Sequence, residues 1–496
     1  MLHTVIFSDE ITLWWEKEWD LPDGIEYRVA LNGRDAGTTR KTHFSCTGLT
    51  PETSYTLSVH RMVNGSLAML DVVSVRTPAE KRRIDVTMPP YSAIGDGVTM
   101  NTAALQRAIN DCGADECVYL PKGTYLTGAL DLHSDMELYI DEGATLQGSE
   151  APEDYLPKRR SRFEGLEMEC YASLLNMGTH DPAAGINCRN IVMRGGGSIM
   201  GGGLALANGI MESERARLAD YLAANADFVK TCENENTIPG RARGRLIHIS
   251  NTENVIIAGL TLGYAASWNV HFIYSKDILT YGCRILSKGV WNGDGWDPDS
   301  AENCVIFNTE FSTHDNSIAI KSGKNPEGNV IGRPTKNVYI FDCHGSNCMA
   351  VGSEMSGGID GVYIWDCDFV TGSQGLGLKV TPKRGGYIRN VRVRDCRLVN
   401  VRARSVPFND DGEPSGEISV VEDVLFENVT FTGLNVPMEG DPRPVEAIFL
   451  VGLDATEGHF RRFTFDGIRL PHVSDVQKIH VKNVTDLTIK NLSFAD

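Results

Sequence analysis

The chain is poor in positive charge. Its 47 lysines and arginines face 65 aspartates and glutamates, leaving a net charge of −18. That balance argues against a general nucleic-acid binder or a protein held on anionic membranes, although a local basic pocket can still receive an acidic substrate. No apolar run approaches the length that crosses a bilayer. The opening residues MLHTVIFSDEITLWW lack the basic start and long apolar stretch of a secretory leader, so a cytoplasmic location is expected. The twelve cysteines contain no C-x-x-C pair and no paired metal spacing. Cys283, Cys343, Cys367 and Cys396 instead recur at one point of a repeat, after LTYG, YIFD, YIWD and VRVRD, and are expected to be reduced, stacked core thiols. Also missing are long helices alternating with the strands, which excludes a doubly wound α/β fold.

What is present has two textures. Residues 1–80 read as short strands separated by turns, among them TVIFSD, ITLWWE, IEYRVALNG and SYTLSVHRM. In GLTPETSYTLSV a leucine and a proline turn precede Tyr55, after which alternation resumes through Leu57 and Val59. That is the pattern of a tyrosine corner, and the segment resembles a fibronectin type III module, a small β-sandwich. RTPAEKRR follows as an exposed linker.

From Ile84 onward, one helix is predicted over 101–112, with Ala104, Leu105, Ala108 and Ile109 on one side. Strand-like units follow, such as DILTYGCRI, NCVIFNTEF, NVYIFDCHG and GVYIWDCDF. Apolar positions Val255, Ile278, Val305, Val338, Val362, Val391 and Val424 return every 23 to 33 residues, within the range of solenoid repeats. The fold class that follows is all-β: a right-handed single-stranded parallel β-helix over 84–496, preceded by the small β-sandwich. The helix would cover the open N-terminal end of the solenoid. Residues 204–243 break the ladder with a partly helical insertion.

In a parallel β-helix, residues one coil apart lie about 4.8 Å from each other along the axis. WNGDGWDPDS and THDNSIAIKSG are consecutive units, so Asp294, Asp297, Asp299 and Asp315 come from neighbouring coils. Crowded carboxylates repel unless one keeps a proton, and a glycosidase uses one protonated acid beside one ionised base or nucleophile. Turn chemistry is the competing reading, because DPDS alone makes a good turn. The spacing matches no dedicated calcium loop.

The region from about Ile84 to the end resembles glycoside hydrolase family 28, the polygalacturonases. AIGDGVTMNTAALQRAINDC, VYLPKGTYLTGAL and RLIHISNTENVIIAGLTLGYAASWNVHFI are similar to its opening coils. NGDGWDPDS resembles its Asn-Thr-Asp-Gly motif, HDNSIAIKSG its Gly-Asp-Asp motif, VGSEMSGG the strand after Gly-His-Gly, and GLKVTPKRGG its Arg-Ile-Lys region. A fibronectin-like module before the β-helix is found among exo-acting members.

The resemblance implies hydrolysis of α-linked galacturonic acid with inversion, without metal or cofactor, on pectin-derived acidic oligosaccharides. It gives Asp315 the role of general acid and Asp294 that of the carboxylate activating water, with Asp297 in reserve. The expected substrate contacts are Asn292, His314, Asn316, Lys321, Ser346, Glu354, Lys379 and Arg384. There are three departures. Asn316 stands where the family has a third carboxylate, and an amide cannot accept water's proton. Ser346 is aligned with the Gly-His-Gly histidine, for which His314 or His344 would have to substitute. Gly377 replaces an arginine, leaving Lys379 and Arg384 to recognise the leaving-side sugar. A rhamnogalacturonan-fragment hydrolase and a non-catalytic glycan binder therefore remain alternatives to an exo-acting galacturonidase.

Overall fold

The computed structural model describes residues 1–19, 24–63, 65–408, 411–436, 441–453, 458–472 and 478–494. It divides into two units, Met1–Arg83 and Ile84–Asp496.

The N-terminal unit holds two antiparallel sheets. Leu2–Ile6, Glu10–Trp15 and His43–Thr47 form one; Arg34–Thr39, Glu26–Leu31, Ser54–Val63 and Ser66–Arg76, in that order, form the other. Alternation sends Ile11, Leu13, Trp15, Tyr27, Val29, Leu57 and Val59 into one core. The Tyr55 hydroxyl accepts a 2.9 Å hydrogen bond from the Thr50 N–H five residues upstream, closing the corner that the sequence marks.

The second unit is a right-handed parallel β-helix. Its strands run in two long ladders, one of 24 strands and one of 11. Most coils are set by an asparagine or aspartate in the left-handed region, followed immediately by an inward apolar residue; Gly361 and Arg462 take that place before Val362 and Phe463. Asn254, Asp277, Asn303, Asn337, Asn390 and Asp423 have φ between 54° and 57°. The residues after them, Val255, Ile278, Cys304, Val338, Val391 and Val424, are all buried. A non-glycine residue in this region costs on the order of 1 kcal/mol, which the short amide side chain offsets by local hydrogen bonding. Here the amides also bond along the axis: Asn337 Nδ2 donates to Asn303 Oδ1 (3.1 Å) and Asn303 Nδ2 to Asp277 Oδ1 (2.9 Å).

This column corrects one expected rung. Cys304, not Val305, pairs with Ile278 and Val338, while Val305 pairs with Leu279 and Tyr339. The bend at Asn303 decides which residue turns inward. A one-residue slip exchanges the faces of a strand.

All twelve cysteines are free. Cys283, Cys343, Cys367 and Cys396 each point the thiol at the carbonyl two residues back, at 3.2–3.4 Å, and Thr309 fills the same place between the first two. Beside them an aromatic stack runs Tyr281, Phe307, Phe341, Trp365 with centroids 4.5–5.0 Å apart. Each such pair adds about 1 kcal/mol beyond its burial.

The helix occupies Thr102–Asp111 and buries Leu105, Ala108 and Ile109. Gln106 on that helix donates to the Asp131 carbonyl (2.9 Å) and accepts from the Asp131 N–H (2.8 Å). It thereby satisfies Leu130–Leu132, the first strand of the 11-stranded ladder, which would otherwise be an open edge. The interrupting segment carries helices Gly203–Arg217, Ala219–Ala224, Ala226–Val229 and Thr237–Gly240.

Candidate active site

The outward face of the 11-stranded ladder carries the cleft. Strands Val270–Ile273, Trp296–Asp299, Ile318–Ile320, Met349–Val351 and Leu376–Val380 follow one another along it. Trp296 pairs with Ile318 and Asp299 with Lys321, so the two Asp-rich units are in register. The contact is close at Gly295, where a Cβ would come within 2.4 Å of the Ser317 carbonyl oxygen. Only glycine lets the Asp294 turn sit against the next coil.

A cleft of about 260 Å³ opens here, lined by Asn292, Asp294, His314, Asp315, Asn316, Lys321, Glu354 and Lys379 among others. Asp297 does not line it but lies directly beneath. Lys321 Nζ is 3.2 Å from Asp294 Oδ2 and 3.3 Å from Asp297 Oδ1, with all three side chains almost fully buried. The ammonium also sits 4.6 Å over the Trp268 ring. Two carboxylates thus share one cation. Burial pushes Asp294 up to about 6, against the pull of Lys321 and with a further push from Asp315. Burial holds Asp297 well above the usual carboxylate range. Asp297, the deeper of the two, therefore keeps the proton, and Asp294 ionises near neutrality. Burial alone would lower the Lys321 ammonium, but Asp294 and Asp297 outweigh it and hold Lys321 charged.

Asp315 is partly exposed on the next coil. Its Oδ1 accepts from the Asn316 N–H (2.8 Å) and from Asn316 Nδ2 (2.9 Å). Asn316 Oδ1 in turn accepts from Lys379 Nζ at 3.0 Å. The amide is oriented by its partners, nitrogen toward the carboxylate and oxygen toward the ammonium. A carboxylate at 316 would face Asp315 with no proton to donate. The loop bearing Asp315 is pinned from the next coil, where Asn347 Nδ2 donates to the Thr313 (2.7 Å) and His314 (3.2 Å) carbonyls. His314 Nδ1 accepts from the Gly289 N–H at 3.2 Å, leaving its other nitrogen as the donor.

Two expected contacts are corrected. Ser346 does not line the cleft; Asn347 does. Ser346 closes the outer strand Thr335–Ser346, and its carbonyl is taken by Thr313 Oγ1 and Ser317 Oγ. The residue that lines the cleft is one later, Asn347, which itself forms the bend (φ 76°). Arg384 is fully buried behind the wall, donating to Asn325 Oδ1 at 2.6 Å, while its carbonyl receives Ser356 Oγ (2.8 Å). It holds the turn before Gly385 and Gly386 instead of reaching the substrate space. His344 projects away, 3.3 Å from Asp342.

Among the cleft residues that the sequence did not single out as substrate contacts are Glu164, Glu233, Trp268, Asn347 and Phe408. Glu164 sits at the turn of the hairpin Arg159–Phe163 and Leu166–Cys170, and Arg241 Nε donates to it at 2.7 Å. Glu233 and Arg241 belong to the helical insertion. Arg241 also reaches Asp411, which binds Lys324, so the insertion is tied to Asp411, and Glu233 and Phe408 line the same cleft. Arg243 donates to Asn292 Oδ1 (2.5 Å), fixing that amide. Partial burial, Asp315 and Glu164 together raise the Glu233 carboxyl.

A parallel β-helix with carboxylates of unlike environment in one cleft defines a glycosidase-type site. The chain belongs to glycosyl hydrolases family 28, whose model matches residues 225–493. It is accordingly an enzyme that hydrolyses glycosidic bonds. Residues 88–148 match the model described as rhamnogalacturonase A/epimerase, pectate lyase-like. The exo-poly-alpha-D-galacturonosidase of Dickeya chrysanthemi is 27% identical over 471 residues, covering 90% of this chain and 77% of that protein. The structure of the Yersinia enterocolitica family 28 exopolygalacturonase superposes with a TM-score of 0.83 at 22% identity, covering 100% of this chain and 95% of the other. The exopolygalacturonase of Thermotoga maritima gives 0.67 at 24% identity, covering 83% and 91%. These two likenesses establish the shared fold.

Proposed function

We propose that the protein is an exo-acting galacturonan hydrolase that releases galacturonic acid from pectin-derived oligosaccharides. The observation that carries this reading is the pair of unlike carboxylates. Asp294 is buried beside a protonated partner and one lysine, and Asp315 is open to the cleft on the next coil. Among the described residues Asp315 Oδ2 makes no hydrogen bond, which leaves it for the glycosidic oxygen.

In the reaction, Asp315 acts as general acid and gives a proton to the leaving oxygen as the bond to the anomeric carbon breaks. A water attacks that carbon from the opposite face and gives its proton to ionised Asp294. Asp315 ends ionised, Asp294 ends protonated, and solvent restores both. Asn316 cannot take water's proton; it holds Asp315 and relays the charge of Lys379. The single attack inverts the anomeric centre. Exo action is supported by the likeness to the Dickeya relative.

The test is incubation with a panel of oligogalacturonides and rhamnogalacturonan oligosaccharides, with products separated and the first-formed anomer read by NMR. Galacturonic acid released one unit at a time from the first set is expected. An unsaturated, ultraviolet-absorbing product, or no product from any member, would overturn the reading.

A further inference from the structure

Past the cleft, the outward face of the 11-stranded ladder continues through Val401–Ser405, Ile448–Val451 and Ile479–Lys482. Register defines two outward columns. One runs Gly377, Arg402, Phe449, His480; the other runs Lys379, Arg404, Val451, Lys482. Neither column holds a carboxylate, although the protein carries a net charge of −18.

Arg402 and Arg404 are unusual among the arginines of this chain. Both are half-buried, and among the described residues neither makes a hydrogen bond or an ion pair. Arg402 Nε is a buried donor with no partner, and its guanidinium lies 4.5 Å over the Phe449 ring. Burial and the neighbouring Arg402 both disfavour the charge on Arg404, while the Cys348 thiol at the cleft wall lies within its electrostatic reach. Two half-buried cations placed side by side without an anion cost free energy, which an anionic ligand would recover. The column behind them is flat: Ala319, Ala350 and Gly377 precede Arg402 in register. The space over Gly377 is taken by Lys379 Cε, Cys348 Sγ and Gln374 Oε1, all cleft-lining residues, so the arginines follow directly on the cleft wall in register.

We propose that Arg402 and Arg404, with Lys482 beyond them, form a leaving-side extension of the substrate site that grips uronate carboxylates of units past the one held near Lys379. Planar guanidinium groups suit bidentate capture of a carboxylate, and the Phe449 ring backs the guanidinium of Arg402. Lys379 and Arg404 stand on successive coils about 4.8 Å apart, an interval comparable to one sugar unit, and Lys482 follows two coils further on. The proposal rests on the galacturonan reading and explains how a chain lacking the arginine at 377 still recognises an acidic leaving group. It makes the preferred substrates longer than a dimer and free of carboxyl esters.

The test compares wild type, R402Q/R404Q and R402K/R404K on galacturonate oligomers of two to five units, with a methyl-esterified set alongside. In wild type, kcat/KM is expected to rise from dimer to tetramer. In the glutamine variant that gain should fall by about tenfold or more, through KM and not kcat, with partial recovery in the lysine variant. Esterified oligomers should show no such difference between the variants. An identical length profile in wild type and the glutamine variant would overturn the proposal. If wild type cleaves none of the oligomers, the glycosidase reading fails instead. Titration calorimetry of tetragalacturonate into wild type and each single variant then decides the stripe independently: tighter binding by wild type upholds it and equal binding removes it.

Discussion

Lys321 Nζ lies 3.2 Å from Asp294 Oδ2 in the floor of the cleft, and this ion pair sets when the site can act. Asp294 must be ionised to accept a proton from water, and burial pushes it up to about 6. Activity is therefore expected to be lost as pH falls through about 6. Replacing Lys321 with glutamine removes the charge that favours ionised Asp294, so the acidic limb of kcat/KM should move toward higher pH by roughly one unit. A limb that stays in place would detach Asp294 from the rate.

Asp315→Asn and Asp294→Asn should each lower kcat by about 10²–10⁴-fold while tetragalacturonate still binds. Steady-state kinetics alongside calorimetry separate the two effects. Normal turnover by either variant removes that residue from the mechanism.

Asn316→Ala deletes the amide that bonds Asp315 at 2.9 Å and Lys379 at 3.0 Å. The expected result is a fall in kcat of about tenfold or more, from two lost charge-assisted hydrogen bonds, with the fold intact. Circular dichroism and kinetics on the same preparation check it. Asn347→Ala should act in the same direction, since its side chain pins the loop at the Thr313 and His314 carbonyls.

Arg384→Met is a stability variant and not a binding variant. The guanidinium is fully buried and donates to Asn325 Oδ1 at 2.6 Å. Its loss leaves that amide oxygen without its charged donor, at a cost of about 2 kcal/mol. Thermal denaturation should show a lower midpoint, while KM for oligogalacturonides is unchanged. A raised KM with an unchanged midpoint would return Arg384 to the substrate.

Much of this molecule is legible in its sequence because a solenoid repeats its own instructions. Each Asn or Asp bend followed by an apolar residue specifies a coil. Asp294, Asp315, Asn316, Lys321 and Lys379 sit on strands or tight turns whose register is fixed by that repeat. The same logic fails where a unit is one residue out of phase. Val305 was displaced from the rung by Cys304, which follows left-handed Asn303, and Ser346 from the cleft by Asn347, which is itself left-handed. Periodicity of apolar residues does not distinguish adjacent positions when both are apolar or both polar.

By itself the sequence determined the β-helix, the chain of coils and the two carboxylates that meet across neighbouring ones, since parallel stacking converts spacing along the chain into proximity. Only the tertiary structure decided what surrounds them. Glu164, Glu233 and Arg241 come from a hairpin and a helical insertion that share no register with the coils, so no spacing foretells their approach. Burial of Arg384, the single lysine shared by Asp294 and Asp297, and the unpaired Arg402 and Arg404 likewise depend on which neighbours each side chain meets. Charge and hydrogen bonding act through distance in space, and at these places distance along the chain does not predict it.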